Sequence, residues 1–230
     1  MKIAVIGLDQ FPQGKKNLPD ERLDKLTDIY HARKTIPIQI EFIDASRLKE
    51  ADAVICEKNS KLDLVIGDLE IAEQRMYKEE TKELFTKCKD ALEKETLLCE
   101  IPLSEDEKKI LLNSNLVTIK PLTIIDANNM PDLPQIIKDA YSNAGMMAFL
   151  TACEKEVRAW PVKKGAVASE AAGVIHSDIQ RGFIKAEVIG YEDLVKAGGE
   201  NQAKNAGYLR LEDKEYAVKD GDIMHFRFSV

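Results

Sequence analysis

Gly7 and the run Gly14-Lys15-Lys16 are the residues of this chain whose types and spacing come nearest to phosphate chemistry. A loop that cradles phosphates needs Gly-x4-Gly-Lys-Ser/Thr. That spacing turns successive N–H groups onto the phosphates and brings the lysine to the terminal ones. The hydroxyl holds magnesium, and the helix that follows adds its dipole. Here six residues separate Gly7 from Gly14, and Lys16 stands where the hydroxyl should be. Leu18-Pro19 stops a helix from following directly. The segment therefore reads as a remodelled surface loop, with an anion site at Lys15 and Lys16 as the alternative. Cys56, Cys88, Cys99 and Cys153 show no C-x-x-C, and His31, His176 and His225 stand alone. Neither a zinc site nor a disulfide framework is expected, and the thiols read as reduced and mostly buried. There is no Ser-His-Asp arrangement and no dinucleotide fingerprint.

The elements that must position these residues come from a chain of 230 residues, 44% apolar and 32% charged. That composition excludes a disordered chain, a collagen and a coiled-coil rod. No apolar run approaches the ~20 residues that span a bilayer, and no signal peptide is expected, so the sequence reads as soluble and cytoplasmic. The 33 basic and 40 acidic residues give a net charge of −7. Such a balance argues against a non-specific nucleic-acid binder and leaves room for a local basic patch.

Lys2–Ile6 reads as a buried strand ending at Gly7, with Asp9, Pro12, Gly14 and Asn17 in a loop. Pro19 opens a helix carrying Leu23, Leu26 and Ile29 to about His31. Strands follow at Ile36–Ile43 and Ala51–Cys56. Asp68 to about Lys94 is charged and helical, lapsing at Glu79-Glu80-Thr81. Ser104 and Glu107 form a capping box before a further helix through Ile110–Leu112. Together these suggest a helical hairpin arm over about 68–115, with two ordinary surface helices as the alternative. Val117–Ile125 reads as a strand and Leu133–Ala144 as a helix stopping at Gly145. Beyond it, strands are expected at Met146–Thr151, Val157–Lys163, Phe183–Ile189, Tyr208–Leu211, Glu215–Val218 and Ile223–Phe228. Short helices are expected at Val167–Ile175 and Tyr191–Ala197. Alternating strands and helices followed by many short strands predict an α/β parallel sheet joined to a compact α+β module.

The C-terminal residues are specific. In order come Lys155-Glu156-Val157-Arg158-Ala159-Trp160, Lys164-Gly165, Ala171-Ala172-Gly173-Val174-Ile175-His176, Arg181-Gly182-Phe183-Ile184-Lys185-Ala186-Glu187-Val188 and Gly221-Asp222-Ile223-Met224-His225-Phe226-Arg227-Phe228. This stretch closely resembles the TGS domain of the Obg-like ATPase (YchF) family, a β-grasp module. Pro161 departs from the family pattern and favours an edge position. Met1–Leu8, Leu18–Leu26, Thr35–Asp44, Asp68–Arg75 and Thr118–Leu122 resemble pieces of the same family's nucleotide-binding domain and arm.

The resemblance implies a shortened member: a truncated P-loop GTPase-like domain over 1–145 with its arm, and a TGS domain over 146–230. It implies strands in the order Ile36–Ile43, Lys2–Ile6, Ala51–Cys56, Val117–Ile125. The family's Asp-x-x-Gly motif falls on Asp44-Ala45-Ser46-Arg47, keeping the Asp and replacing the Gly. Asp44 reads as a turn cap. The base-recognition motif falls on Asp126-Ala127-Asn128-Asn129-Met130, with its Asn displaced and its acidic partner missing. Gly7, Gly14, Lys15, Lys16 and Asp44 are thus the remains of a degenerate nucleotide site. The resemblance points to a non-catalytic binding protein, without a cofactor, that engages ribosome, RNA or a translation partner. Arg158, Trp160, Lys163, Lys164, His176, Arg181 and Lys185 are the candidate contacts, with Trp160 and His176 also readable as structural. The alternative is a reduced NTPase that binds ATP or GTP with magnesium through a reshaped loop. A small-molecule sensor is a third, weaker reading.

Overall fold

The structure is a computed structural model that describes residues 1–8, 10–77 and 79–229. Asp9, assigned above to a loop, lies outside them. The strands are β1 (Lys2–Ile6), β2 (Gly14–Asn17), β3 (Thr35–Ile36), β4 (Gln39–Asp44), β5 (Ala53–Glu57), β6 (Leu122–Ile125), β7 (Met146–Ala152), β8 (Val157–Lys163), β9 (Phe183–Gly190), β10 (Arg210–Glu212) and β11 (Asp222–Phe228). The α-helices are α1 (Glu21–Tyr30), α2 (Lys61–Arg75), α3 (Lys82–Leu92), α4 (Glu105–Asn113), α5 (Leu133–Asn143), α6 (Ala168–Ile175), α7 (Ser177–Arg181), α8 (Tyr191–Ala197) and α9 (Glu200–Asn205). They form two compact units, one of Met1–Lys16 with Ile40–Ala144, the other of Asn17–Gln39 with Gly145–Val230. A single cut after residue 145 does not separate these units, because 17–39 goes with the C-terminal part.

The first unit holds a sheet ordered β2-β4-β1-β5-β6. β1 runs parallel to β4 and β5, and β5 parallel to β6. This is the order the sequence implied, with β2 added at the edge. Burial of Ile3, Ala4, Val54 and Ile55 to zero exposure explains why β1 and β5 read as continuous apolar runs. β2 was expected to be loop. Its residues, Gly-Lys-Lys-Asn, have no apolar pattern, and lysines on an edge strand discourage pairing with other chains. The arm differs in its pairing. α2 starts at Lys61, earlier than the sequence suggests, and packs against α3 across the break at Glu79–Thr81. Phe85, Cys88 and Leu92 of α3 close a cluster with Val65 and Ala72 of α2, and Leu111 of α4 joins it. The hairpin is therefore α2 with α3, and α4 is an addition to it. The Ser104 capping box is present, with Glu107 N–H donating to Ser104 Oγ at 3.2 Å.

The expected strand Val117–Ile125 shortens to β6. Asp68, 1% exposed, takes the N–H groups of Val117 and Thr118 at 2.7–3.0 Å, so those residues are withdrawn from any ladder.

The second unit holds a β-grasp-like sheet ordered β10-β9-β11-β7-β8-β3. α6 covers one face through Ala168, Ala171 and Ala172, in one cluster with Phe149, Val188 and Phe226, and Ile179 of α7 packs against it. α1 lies against β7 and β8 and buries Leu23 and Leu26. The expected single strand Ile36–Ile43 is two strands. Pro37 has no N–H to give a ladder, so the chain breaks there; β3 pairs with β8 and β4 joins the other sheet. The expected strand Glu215–Val218 reduces to an isolated bridge from Ala217 to Val167. Val157 N–H donates to Lys34 O at 2.9 Å, so by alternation the N–H side of residue 161 faces away from β7. Pro161 thus costs no bond to β7; β8 is not the edge strand expected for it, since β3 lies outside it, but β3 pairs only with Val157 and Arg158 and leaves Pro161 beyond its reach.

Candidate functional site

The carboxyl ends of the parallel strands are where an open α/β sheet places ligands. In the first unit these ends carry Gly7, Asp44, Glu57 and Asp126. Gly7 follows β1 with φ +74°. The space beside its α-carbon is filled: a Cβ there would overlap Ser60 Oγ and lie 2.9 Å from Glu57 Cβ. Glu57 is 6% exposed and caps the turn that follows, accepting from Asn59 N at 2.5 Å. Ser60 and the Cβ of Glu57 thus pack directly against Gly7, while the Glu57 carboxylate turns to Asn59. Gly14, Lys15 and Lys16 form β2, bonded to β4 in the sheet order, with Lys15 exposed. The helix that follows, α1, belongs to the other unit.

Asp44 caps the 3-10 turn after β4. It accepts from Ser46 N at 2.8 Å, and that bond holds its carboxyl below the usual range. This agrees with its reading as a turn cap. Arg47, at the expected glycine position, is engaged by Glu50 at 2.7 Å and by Glu41 at 3.6 Å. Lys2 Nζ also reaches Glu50, at 2.6 Å. Hydrogen bonds from Arg47 and then Lys2 pull the Glu50 carboxyl down to about 2. A depressed folded-state value means that the contribution of Glu50 is complete above the ordinary carboxylate range of ~4.3 and fades as pH falls toward it and below. A carbon-detected titration should place Glu50 well below the ordinary carboxylate range, and Arg47→Ala should return it toward its ordinary value. Asp126 caps the turn at Asn128 and pairs with Lys58 at 3.3 Å.

The thiols divide evenly in exposure, which corrects the expectation of mostly buried cysteines. Cys56 and Cys88 are buried, and burial pushes both thiols up to about 11, whereas Cys99 and Cys153 are exposed.

The candidate contact residues of the second unit do not form one face. Arg158 and Trp160 are two apart on β8 and share a side of the sheet. The Arg158 guanidinium lies 3.9 Å from the Trp160 ring centroid. The indole N–H donates to Thr151 Oγ1 at 2.9 Å, and the ring stacks with Phe149 at 6.4 Å. Lys163 and Lys164 are exposed at the strand end. His176 caps α7, its Nδ1 accepting from Asp178 N at 3.1 Å, and Arg181 pairs with the same aspartate at 2.6 Å. Lys185 pairs with Asp213 and sits on β9, with β11 and β7 between it and β8. Arg158 meets Trp160, and His176 and Arg181 meet at Asp178, but the two pairs are separate. Sequence reasoning missed Lys34, Asn17 and Gln39, which line one groove with Arg158 and Trp160. The break at Pro37 was the available signal.

The geometry defines a mixed α/β protein: a parallel sheet of the nucleotide-binding type with a helical arm, and a β-grasp-like module. The model YchF-GTPase_C, described as a protein of unknown function (DUF933), matches residues 146–229. The "Ribosome-binding ATPase YchF" of Bacillus subtilis (strain 168) is 30% identical over 326 residues, covering 94% of this chain and 89% of that protein. That aligned span exceeds the length of this chain, so the relative carries internal segments that are missing here. The protein of the same name from Haemophilus influenzae is 54% identical over 100 residues, 44% of this chain and 28% of that protein. The solved YchF GTPase of Schizosaccharomyces pombe shares the fold, with a TM-score of 0.79 at 20% identity over 96% of this chain and 89% of that one. The chain belongs to the YchF/Obg-like ATPase family. Among the described residues no helix is long and apolar enough to cross a membrane.

Proposed function

We propose that this chain is a non-catalytic, ribosome-associated member of its family, engaging the ribosome or RNA through a TGS domain over 146–230. On this reading the first unit is a degenerate nucleotide-binding domain whose arm is the hairpin of α2 and α3 with α4 added. The observation that carries it is the filled space beside Gly7, where Ser60 and the buried Glu57 stand. Side chains packed this closely on Gly7 support a loop remodelled away from the open, N–H-lined cradle that a phosphate needs. Lys16 in place of the magnesium hydroxyl supports the same reading. The ribosome enters through the names of the relatives, called ribosome-binding ATPases. The exposed Lys15 and the retained Asp44 favour the second reading, a reduced ATP- or GTP-binding NTPase. Co-sedimentation with purified ribosomes separates the two. Pelleting that is equal with and without ATP and magnesium is expected; pelleting that requires ATP would favour the NTPase.

A further inference from the structure

The second unit contains a groove of about 530 Å³ between β3 and the outer edge of β8, lined by Asn17, Lys34, Gln39, Arg158, Trp160 and Pro161 among others. No carboxylate lines it among the described residues. Two other hollows mix both signs: one at the arm carries Glu79, Glu80, Glu83 and Asp90 with Lys82 and Lys87, and one carries Glu192, Asp193, Asp220 and Asp222 with Arg22, Arg210 and Lys219. In a chain of net charge −7, a groove walled by two cations, with the single carboxylate of Glu156 at its margin, favours an anion.

Its polar groups are of distinct kinds. Lys34 and Arg158 are cations with side chains 66% and 37% exposed. Asn17 and Gln39 carry amides, joined by a 3.3 Å bond from Gln39 Nε2 to Asn17 Oδ1. Amides can present both donors and acceptors to base edges. The Arg158 guanidinium carbon sits over the Trp160 ring, 3.9 Å from its centroid, and a guanidinium beside an aromatic ring offers a base a surface to stack on. Glu156 sits 3.8 Å from both Lys34 and Arg158, a spacing typical of weak exposed pairs, which a phosphate can displace.

We propose that this groove binds single-stranded RNA, with Lys34 and Arg158 on phosphate, a base stacked on the Arg158–Trp160 pair, and Asn17 and Gln39 toward base edges. The proposal rests on the ribosome or RNA reading above and locates its contact. It assigns part of the contact to residues 17–39, outside the matched C-terminal segment.

The test is fluorescence anisotropy of the full chain with a short labelled oligouridylate at several salt concentrations. Lys34→Gln with Arg158→Gln should weaken binding at least about tenfold and flatten the salt slope by ~0.7 for each phosphate that is no longer neutralised. Lys49→Gln, in the other unit, should change neither. Circular dichroism of the double variant, in which Lys34 is exposed and Arg158 half-buried, checks that it folds. No binding of the oligonucleotide by the wild type, or binding unchanged in the double variant, overturns the proposal. So does displacement of the oligonucleotide from this groove by polyglutamate at equal charge, which would mark an acidic protein partner. If ribosome pelleting survives while the groove fails these tests, the ribosome reading stands and the groove assignment falls. If the wild type does not pellet with ribosomes, the broader reading falls, whatever the groove binds.

Discussion

Asp68→Ala is expected to lower the unfolding free energy by about 3 kcal/mol. Asp68 lies on α2 and is 1% exposed. It accepts from Val117 N at 2.8 Å, from Thr118 N at 2.7 Å and from Thr118 Oγ1 at 2.6 Å. Burial pushes its carboxyl up, while the Thr118 hydroxyl and the two N–H groups oppose that shift. Removing the carboxylate strands buried donors, and each stranded donor costs ~1–3 kcal/mol. Thr118 is fully buried, so water cannot replace the lost acceptor without opening the structure. Asp68→Asn retains one acceptor oxygen and should lose less. Urea unfolding of both variants measures the difference. Equal midpoints for wild type and Asp68→Ala would show that the carboxylate does not tie the arm to the entry of β6.

Leu26→Ala is expected to cost about 2–5 kcal/mol, felt in the second unit. Leu26 is fully buried on α1, which packs against β7 and β8. The segment around it is held by Arg22, which binds Asp20 and Asp220 at 2.8 Å each. Val157 and Arg33 add backbone bonds to Lys34 O and Glu154 O at 2.9 and 3.1 Å. Hydrogen exchange on the full chain should show amides of β7, β8, β9 and β11 opening faster, while β1 and β5 keep wild-type rates. Faster exchange in β1 with none in β8 would place 17–39 energetically with the wrong unit.

The C-terminal strands were legible because their alternation is undisturbed. β8 and α8 fall on the expected residues, and Pro161 lies on the stretch of β8 that β3 does not pair. The parallel strands were legible from continuous apolar runs. The failures have local causes. Lys61–Gly67 shows no one-sided stripe, because Leu62 and Ile66 are half exposed while Val65 is buried. Thr118 looks like a strand residue, yet its N–H belongs to a carboxylate fifty positions away. The switch of Thr35–Ile36 to the second sheet depends on a partner, β8, more than a hundred residues later. At the site, the altered spacing of Gly7 and Gly14 was visible, but the Ser60 and Glu57 that fill the space beside Gly7 were not. They reach it only through the packing of β5 beside β1.

Calorimetric titration of the full chain with ATP and with GTP, each with magnesium, tests the central claim most directly. The account predicts no binding tighter than about 1 mM, which is ~4 kcal/mol. Micromolar binding of either nucleotide, weakened by Lys15→Ala, would contradict it and show that Gly7–Lys16 still holds phosphate in a new shape.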